Sequence, residues 1–259
     1  MLTLTAAEIG GLLGQYYWPF CRVAGMVMVA PVFSASFVPV RARVLIAVGL
    51  TIAIAPILQP APAVEVLSVA GVLITIQQIL IGAAMGFLVQ MIFDAVIMAG
   101  QTIAMSMGLG FAFMVDSQRG VSIPIVGQFL AITATLLYLA MDGHLILIRV
   151  LVDSFSSMPV GQGYLVRDDM WSVVMFGAEM FLGAVQIALP AVVALQTMLI
   201  AFGVVSRTAP TMNLFAVGFP VILIGGFLVL MVVLPFMQPT ITEMLHNAFA
   251  VVREIVVAR

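Results

Sequence analysis

The hydrophobic residues of this chain fall into six long apolar runs separated by short polar breaks. Runs of about 20 apolar residues are long enough to cross the hydrocarbon core of a bilayer as helices. The pattern therefore predicts an all-α integral membrane protein built of kinked and re-entrant helical hairpins. The runs cover residues 9–33, 44–58, 66–93, 123–152, 171–206 and 214–237, and the third stops at Asp94, beyond which 95–115 is again mostly apolar but rich in Gly and Met.

The lengths of the runs do not match one bilayer thickness. As a straight helix the fifth run would extend about 54 Å, whereas the hydrocarbon core is about 30 Å thick. Pro190 lies near its middle and would kink it, while the second run is short for a span. Either the helices tilt and kink, or other protein buries part of their apolar surface. The second option predicts an obligate complex.

Residues 239–259 differ in kind from the apolar runs. Apolar and polar residues alternate there at helical spacing, which is typical of an amphipathic helix rather than of a membrane span. The apolar set is Met244, Leu245, Ala248, Phe249, Val252 and Ile255, and the polar set is Glu243, Asn247, Arg253 and Glu254.

Composition supports the membrane interpretation. The chain is 64% hydrophobic and 8% charged, with a mean hydropathy of +1.27, whereas a soluble domain carries roughly 25% charged residues. A net charge of -2 provides no basic field, so no nucleic-acid partner is expected. The single cysteine, Cys21, cannot form an internal disulfide. No basic residue precedes the first run and no cleavage site follows it, so we expect the first helix to remain in the mature protein.

Arginines near the ends of the runs predict an orientation. With six alternating runs, the turns that carry Arg41 and Arg43, Arg119, and Arg207 all fall on one side. The positive-inside rule makes that side cytoplasmic. The loop 153–169 has one arginine against three aspartates and falls on the other side.

Two glycine patterns stand out within the apolar runs. Gly82 and Gly86 form a small-xxx-small pattern, which allows two helices to approach closely but also arises by chance in apolar sequence. Gly108 and Gly110 weaken a helix by about 1 kcal/mol each relative to alanine. Bulky apolar residues follow them at once, and such a segment suits either a movable plug in a pore or a buried loop packed for stability. Those bulky residues are Phe111, Phe113 and Met114.

Ionisable residues within or near the apolar runs are functional candidates because a charge in lipid is costly. We expect Arg22 to pair with a carboxylate of this chain or of a partner. The segment 142–144 suggests a helix-end turn or hydrogen bonds between subunits, since a metal or proton relay there lacks further ligands. Nucleotide-loop, hydrolase and zinc-protease motifs are absent from the sequence, so we predict no catalytic site, metal or cofactor. The ionisable set is Arg22, Asp94, Asp142, His144, Arg149 and Glu179.

Several short motifs, in a fixed order over nearly the whole chain, resemble one family. They are Arg22-Val23-Ala24-Gly25, Ala30-Pro31-Val32-Phe33-Ser34, Val38-Pro39-Val40-Arg41, Met105-Ser106-Met107-Gly108-Leu109-Gly110 with Asp116, Asp142-Gly143-His144, Ser154-Phe155, Met158-Pro159-Val160-Gly161, Leu189-Pro190, Arg207-Thr208-Ala209-Pro210-Thr211-Met212-Asn213-Leu214-Phe215 and Gly218-Phe219-Pro220. This set resembles the flagellar biosynthesis protein FliR family, a type III secretion export-gate family. Many members have proline where Ser117 stands and glutamine where Thr211 stands.

The resemblance implies a function that composition does not. Members of this family are single-copy, non-enzymatic subunits of a helical export-gate complex. They assemble with FliP-family and FliQ-family proteins, next to the FlhB-family switch protein, at the flagellar basal body. The complex passes unfolded flagellar substrates across the bacterial inner membrane, in contact with membrane lipid. By the same resemblance, residues 1–165 would form a FliP-like helical part with a central plug loop. Residues 166–259 would form a FliQ-like hairpin with the amphipathic C-terminal helix.

The motifs and the resemblance together select two sets of site residues. The expected pore plug comprises Gly108, Gly110, Phe111, Phe113 and Met114, and the expected packing and assembly residues are Gly82, Gly86, Arg22, Arg207, Pro210, Asn213, Phe215, Gly218 and Pro220. The main alternative is a self-contained secondary transporter of a small solute, which would show internal repeats and polar sites at the membrane midplane. No clear repeat is visible. A membrane-embedded enzyme would need a compact catalytic constellation, and the sequence offers none.

Overall fold

The computed structural model describes residues 6–62, 64–110, 125–208 and 214–256, and the side chains of 14–62, 64–110, 125–207 and 218–256. Within these ranges the chain is helical and contains no strand. The helices are α1 (Ala6–Val29), α2 (Val40–Ile54), α3 (Val69–Ser106), α4 (Ile125–Ala140), α5 (Gly143–Ser157), α6 (Arg167–Thr208) and α7 (Leu214–Val256), and a 3-10 turn (Ala55–Ile57) follows α2.

Among the residues that the structure describes, four helical segments are long and apolar enough to cross a membrane, and the pair α4 and α5 would add a fifth. The all-α membrane prediction is therefore confirmed. The second run, which is short by itself, reaches the length of a span because the 3-10 turn extends α2. The four segments are Val40–Ile57, Val69–Ser106, Arg167–Arg207 and Gly218–Val256.

The helices are distributed over two compact units, each built from separate parts of the sequence. Unit 1 contains residues 1–91, 138–177 and 245–259, and unit 2 contains 92–137 and 178–244. Helices α3, α4, α6 and α7 contribute residues to both units. The expected division at residue 165 concerns a likeness of each part to other proteins, and it stays a prediction.

In unit 1, α1 and α3 pack backbone against backbone at glycines. A Cβ atom at Gly82 would lie 1.9 Å from the carbonyl oxygen of Arg22, and one at Gly86 would lie 2.8 Å from the nitrogen of Ala30. From the other side, a Cβ at Gly25 would lie 2.6 Å from the carbonyl oxygen of Ile79. Such distances exclude any side chain, so only glycine permits this approach of α1 to α3.

Unit 2 uses glycine in the same way. A Cβ at Gly100 of α3 would lie 2.5 Å from the Cα of Gly127 in α4. On α7, Gly226 leaves room for the buried side chain of Met107, whose Cγ would lie 2.6 Å from an added Cβ. The flexible methionine fills the space left by the missing side chain, as an unbranched thioether does well.

The structure corrects the prediction for the fourth apolar run. Residues 123–152 read as one continuous stretch, but the chain bends by 62° between α4 and α5. Asp142 adopts the left-handed region (φ 56°) at the break, and a Cβ at Gly143 would lie 2.3 Å from the ring of Tyr138. Hydropathy does not reveal this bend, because the cause is local backbone geometry. The helix-end turn expected at 142–144 is confirmed.

The third apolar run is interrupted by Asp94 in the sequence. Helix α3 continues through this residue to Ser106, so the apolar residues on both sides of Asp94 belong to one helix. A single exposed aspartate does not break a helix when the residues around it keep their backbone hydrogen bonds.

The C-terminal residues are the uninterrupted end of α7 rather than a separate helix. Their amphipathic pattern is confirmed. All six predicted apolar positions are buried, and the four predicted polar positions are exposed. The Ser157 hydroxyl at the end of α5 donates a hydrogen bond to the carbonyl oxygen of Val256, within unit 1. This terminal segment is thus a packed part of the chain.

Candidate functional site

The end of α3 is closed by a specific backbone turn at Gly108. The amide of Leu109 donates to the carbonyl of Ala104 (3.1 Å) and the amide of Gly108 to the carbonyl of Met105 (3.1 Å). Gly108 itself is left-handed, with φ +82°. This pair of bonds and the left-handed glycine form a Schellman motif, which satisfies carbonyls that a helix end otherwise leaves unpaired. The first of the predicted plug residues is therefore a helix terminator.

An apolar cavity of about 350 Å³ lies beside this turn in unit 2. A Cβ at Gly108 would lie 3.4 Å from the ring of Phe219 on α7, which is an ordinary contact distance. Gly218, one of the predicted assembly residues, also lines the cavity. The remaining lining residues are Met105, Ser106, Met107, Leu199, Phe202, Gly203 and Ile222.

The predicted plug is only partly within the described residues. Gly110 follows the turn, and a Cβ there would lie 2.9 Å from the sulfur of Met105. Phe111, Phe113 and Met114 lie outside the described residues. The structure thus defines the α3 end that precedes the plug, and the role of the plug itself stays a prediction.

Arg22 is the most thoroughly bound charge among the described residues. Its side chain is 0% exposed. Its Nε donates to Oε1 of Gln78 (2.8 Å), and its Nη2 donates to the carbonyl of Met158 (2.8 Å). Its Nη1 donates to both the carbonyl and the hydroxyl oxygen of Ser154, at 2.9 and 3.0 Å. The ring of Phe155 lies 4.2 Å from the guanidinium carbon, which adds a cation–π contact.

This geometry corrects the expected partner of Arg22. A carboxylate was expected, but every acceptor here is a neutral oxygen. Arginine presents five N–H donors in a fixed fork, so several carbonyl and hydroxyl oxygens together can replace one carboxylate. Arg22 thereby ties α1 to α3 and α5 within unit 1.

The predicted assembly residues around the break between α6 and α7 are only partly described. Arg207 is exposed in the last turn of α6, and Pro220 is exposed within α7. Phe215 belongs to α7, but its side chain is outside the described residues. Pro210 and Asn213 lie outside them altogether.

The remaining ionisable candidates do not converge on one site. Asp142 and His144 lie at the start of α5, and Arg149 is exposed further along the same helix. Asp94 is exposed on α3, and Glu179 is exposed on α6. Among the described residues, no group of three or more His, Cys, Asp or Glu side chains is placed to hold a metal ion.

Sequence reasoning missed several residues that the geometry requires. Gly25 and Gly100 are as essential to helix contacts as the predicted Gly82 and Gly86, although neither belongs to a small-xxx-small pair with a predicted role. Gly226 was not singled out either. A useful signal was available, because glycine is unfavourable inside a helix and so demands a packing reason at each position.

Comparison with known proteins gives one consistent result. Residues 13–248 match the profile of the family described as "Bacterial export proteins, family 1". The chain is 35% identical over 256 residues to the flagellar biosynthetic protein FliR of Escherichia coli K12, covering 99% of this chain and 98% of that protein. It is 34% identical to FliR of Pectobacterium carotovorum, covering 98% and 97%. FliR of Bacillus subtilis is 29% identical over 82% of this chain and 83% of its own length.

Proposed function

Because the chain belongs to family 1 of the bacterial export proteins, together with the FliR proteins, we propose that it is a non-enzymatic core subunit of the flagellar type III protein export gate. The observation that carries this proposal is the full-length agreement with proteins named for flagellar biosynthesis. The similarity covers nearly all of both chains, so the family assignment applies to the chain as a whole.

The exposed surface of α6 supports a role inside a larger assembly. Large apolar side chains remain exposed from Trp171 to Val205 along this helix, a distance of about 50 Å at the α-helical rise. The hydrocarbon core of a bilayer is about 30 Å thick. Lipid tails therefore do not cover the whole apolar face of an untilted helix. Other membrane subunits are the natural cover for the remainder.

We infer that these partners are FliP-family and FliQ-family gate subunits with the FlhB-family switch protein, in the inner membrane at the flagellar basal body. Unfolded flagellar proteins would be the cargo. The helical membrane architecture supports the membrane location.

The gating part of the proposal concerns the segment that begins at Gly108. We infer that Phe111, Phe113 and Met114 close the pore, with the capped end of α3 as their anchor. The support is the Schellman motif, which ends α3 shortly before the bulky residues.

Purification from the native bacterium tests the function. A strain that lacks this gene should be non-motile and secrete no flagellar subunits, and the wild-type chain should restore both. In mild detergent a tagged chain should elute as a multi-subunit particle of membrane proteins. A stable monomer that binds a small solute would contradict the proposal and favour a transporter.

Substitution of the bulky residues tests the plug. The triple variant Phe111→Ala, Phe113→Ala, Met114→Ala should make the resting particle leak ions in reconstituted vesicles, because the apolar obstruction is reduced. A matched control is Phe227→Ala, Met231→Ala, Phe236→Ala, which removes equivalent side chains from the exposed face of α7. If ion flux through the triple variant equals that of the wild type, the plug assignment is wrong.

A further inference from the structure

Glu179 is a carboxylate in the middle of an exposed apolar helix face. It lies in α6, about 18 Å from the start of that helix at the α-helical rise. Large apolar residues are exposed on both sides of it along the helix: Met175 is 51% exposed and Leu182 is 51% exposed. The carboxylate is exposed as well. A charge therefore interrupts a surface that is otherwise suited to lipid or protein.

Nothing in the described parts of this chain compensates that charge. Glu179 makes no hydrogen bond and no ion pair with any residue that the structure describes. Arg22, the fully buried cation, is already bound to neutral oxygens in the other unit. On its own helix, the residues one turn away are Met175 and Gly183, which offer no positive charge.

A second polar residue follows on the same face. Gln186 is exposed and lies seven residues after Glu179, which is close to two turns of an α-helix. Like Glu179, it has no partner among the described residues. The exposed side of α6 thus carries a carboxylate and an amide in line, separated by about 10 Å.

We propose that this face of α6, centred on Glu179 and Gln186, binds a helix of another membrane subunit that places a lysine or arginine opposite Glu179. The inference rests on the proposed function, since it assigns a partner chemistry to a gate subunit. In hydrocarbon an unpaired carboxylate is strongly disfavoured, and polar residues within membrane helices face other helices or water rather than lipid. A basic side chain satisfies the charge, and the surrounding apolar residues then supply the packing.

Assembly of the particle is the first measurement. Full-length Glu179→Gln and Glu179→Lys variants would be expressed from the native locus, and the tagged particle purified in mild detergent. Loss of one member of a buried ion pair is costly, so recovery of partner subunits should fall about tenfold with Glu179→Lys and less with Glu179→Gln. The matched control is Asp168→Asn. Asp168 lies on the same side of the same helix, is also exposed, but belongs to the first turn outside the apolar stretch.

Photo-cross-linking identifies the partner and keeps the test independent of folding. A photoreactive amino acid at position 179 should cross-link to a membrane helix of another subunit, within one turn of a lysine or arginine. Exchange of the two charges, with Glu179→Lys and the partner's basic residue changed to Glu, should restore recovery of the particle.

Cross-links to lipid alone, or to a helix without a basic residue nearby, would overturn the inference. So would accessibility of a cysteine at 179 to a water-soluble reagent in the intact particle, since the position would then face a water-filled path. In each outcome that overturns the inference, a multi-subunit particle would still be purified. If the proposed function were wrong, no such particle would be purified.

Discussion

Two charged side chains on apolar helices, Arg22 in unit 1 and Glu179 in unit 2, have opposite surroundings. Arg22 is fully buried and donates four hydrogen bonds to neutral oxygens of its own chain. Glu179 is exposed and has no partner among the described residues. Both charges are expensive in an apolar environment. Arg22 is therefore stabilised by the fold of the single chain, whereas Glu179 requires a partner outside the chain.

This difference distinguishes a stabilising charge from a charge that selects a partner, and the sequence alone does not distinguish them. Both residues look like costly intramembrane charges in a hydropathy profile. Arg22 contributes to the stability of one chain, whereas Glu179 contributes to the choice of neighbour. Substitutions at the two sites should consequently affect different measurements.

The largest effect is expected from Arg22→Met. The variant keeps an unbranched apolar stem but leaves Oε1 of Gln78 and the carbonyl oxygen of Met158 without the arginine donor. Each buried acceptor left unsatisfied costs about 1–3 kcal/mol, so the loss of several partners at once outweighs the other substitutions. A large fall in the thermal unfolding temperature of the detergent-purified chain would show it.

Two controls belong to that experiment. Arg149→Met removes an exposed arginine and should change the unfolding free energy by less than about 0.5 kcal/mol. Glu179→Gln should also leave the isolated chain within about 0.5 kcal/mol while weakening assembly. Equal destabilisation by Arg22→Met and Glu179→Gln would remove the distinction between the two sites.

The next effect concerns Gly82, whose neighbour is the backbone of Arg22. In Gly82→Ala the new methyl would lie 1.9 Å from the Arg22 carbonyl oxygen, so α1 and α3 must separate. Overpacking of this kind costs about 1–3 kcal/mol. The control is Gly49→Ala, measured by the same thermal unfolding, because a Cβ at Gly49 meets nothing within 4 Å. A Gly82→Ala variant as stable as Gly49→Ala would show that the helices are not in backbone contact.

The smallest effect is expected at Gly108, which belongs to neither charged site. Gly108→Ala has room for its methyl, so the cost is that of a left-handed backbone, about 1 kcal/mol. Gly108→Asn should cost less, since asparagine tolerates this conformation. In contrast, Gly177→Ala should be neutral or slightly stabilising, because its Cβ meets nothing within 4 Å and alanine favours a helix. Thermal unfolding of the three variants under one set of conditions gives the comparison.

The helices themselves were largely predictable, because a membrane imposes length and hydropathy on every span. The fifth run became α6 and the sixth became the first part of α7. The bend at Asp142 was not predictable from hydropathy, since both halves are apolar and the cause is a left-handed residue beside a packed tyrosine ring. The sequence analysis also missed that α7 is continuous. The amphipathic pattern from residue 239 onward suggested a separate helix, but α7 runs without interruption through Pro239.

The site residues were predictable by type but not by role. Gly82 was selected because small residues permit helix contact, and the structure supplies the partner backbone. Arg22 was selected because its charge is costly, yet its true acceptors come from α3 and α5, far away in sequence. Gly108 was selected as a residue that weakens a helix, and its backbone bonds and left-handed φ place it in the turn that ends α3. Long-range packing and backbone dihedrals decide such roles, and neither can be predicted from local composition.

The Schellman motif at Gly108 has a consequence for how this protein varies. A helix end that satisfies its own carbonyls does not depend on the residues that come after it. Substitutions and length changes beyond residue 110 can therefore accumulate without unwinding α3. The turn thus separates the packing of α3 from the sequence that follows it.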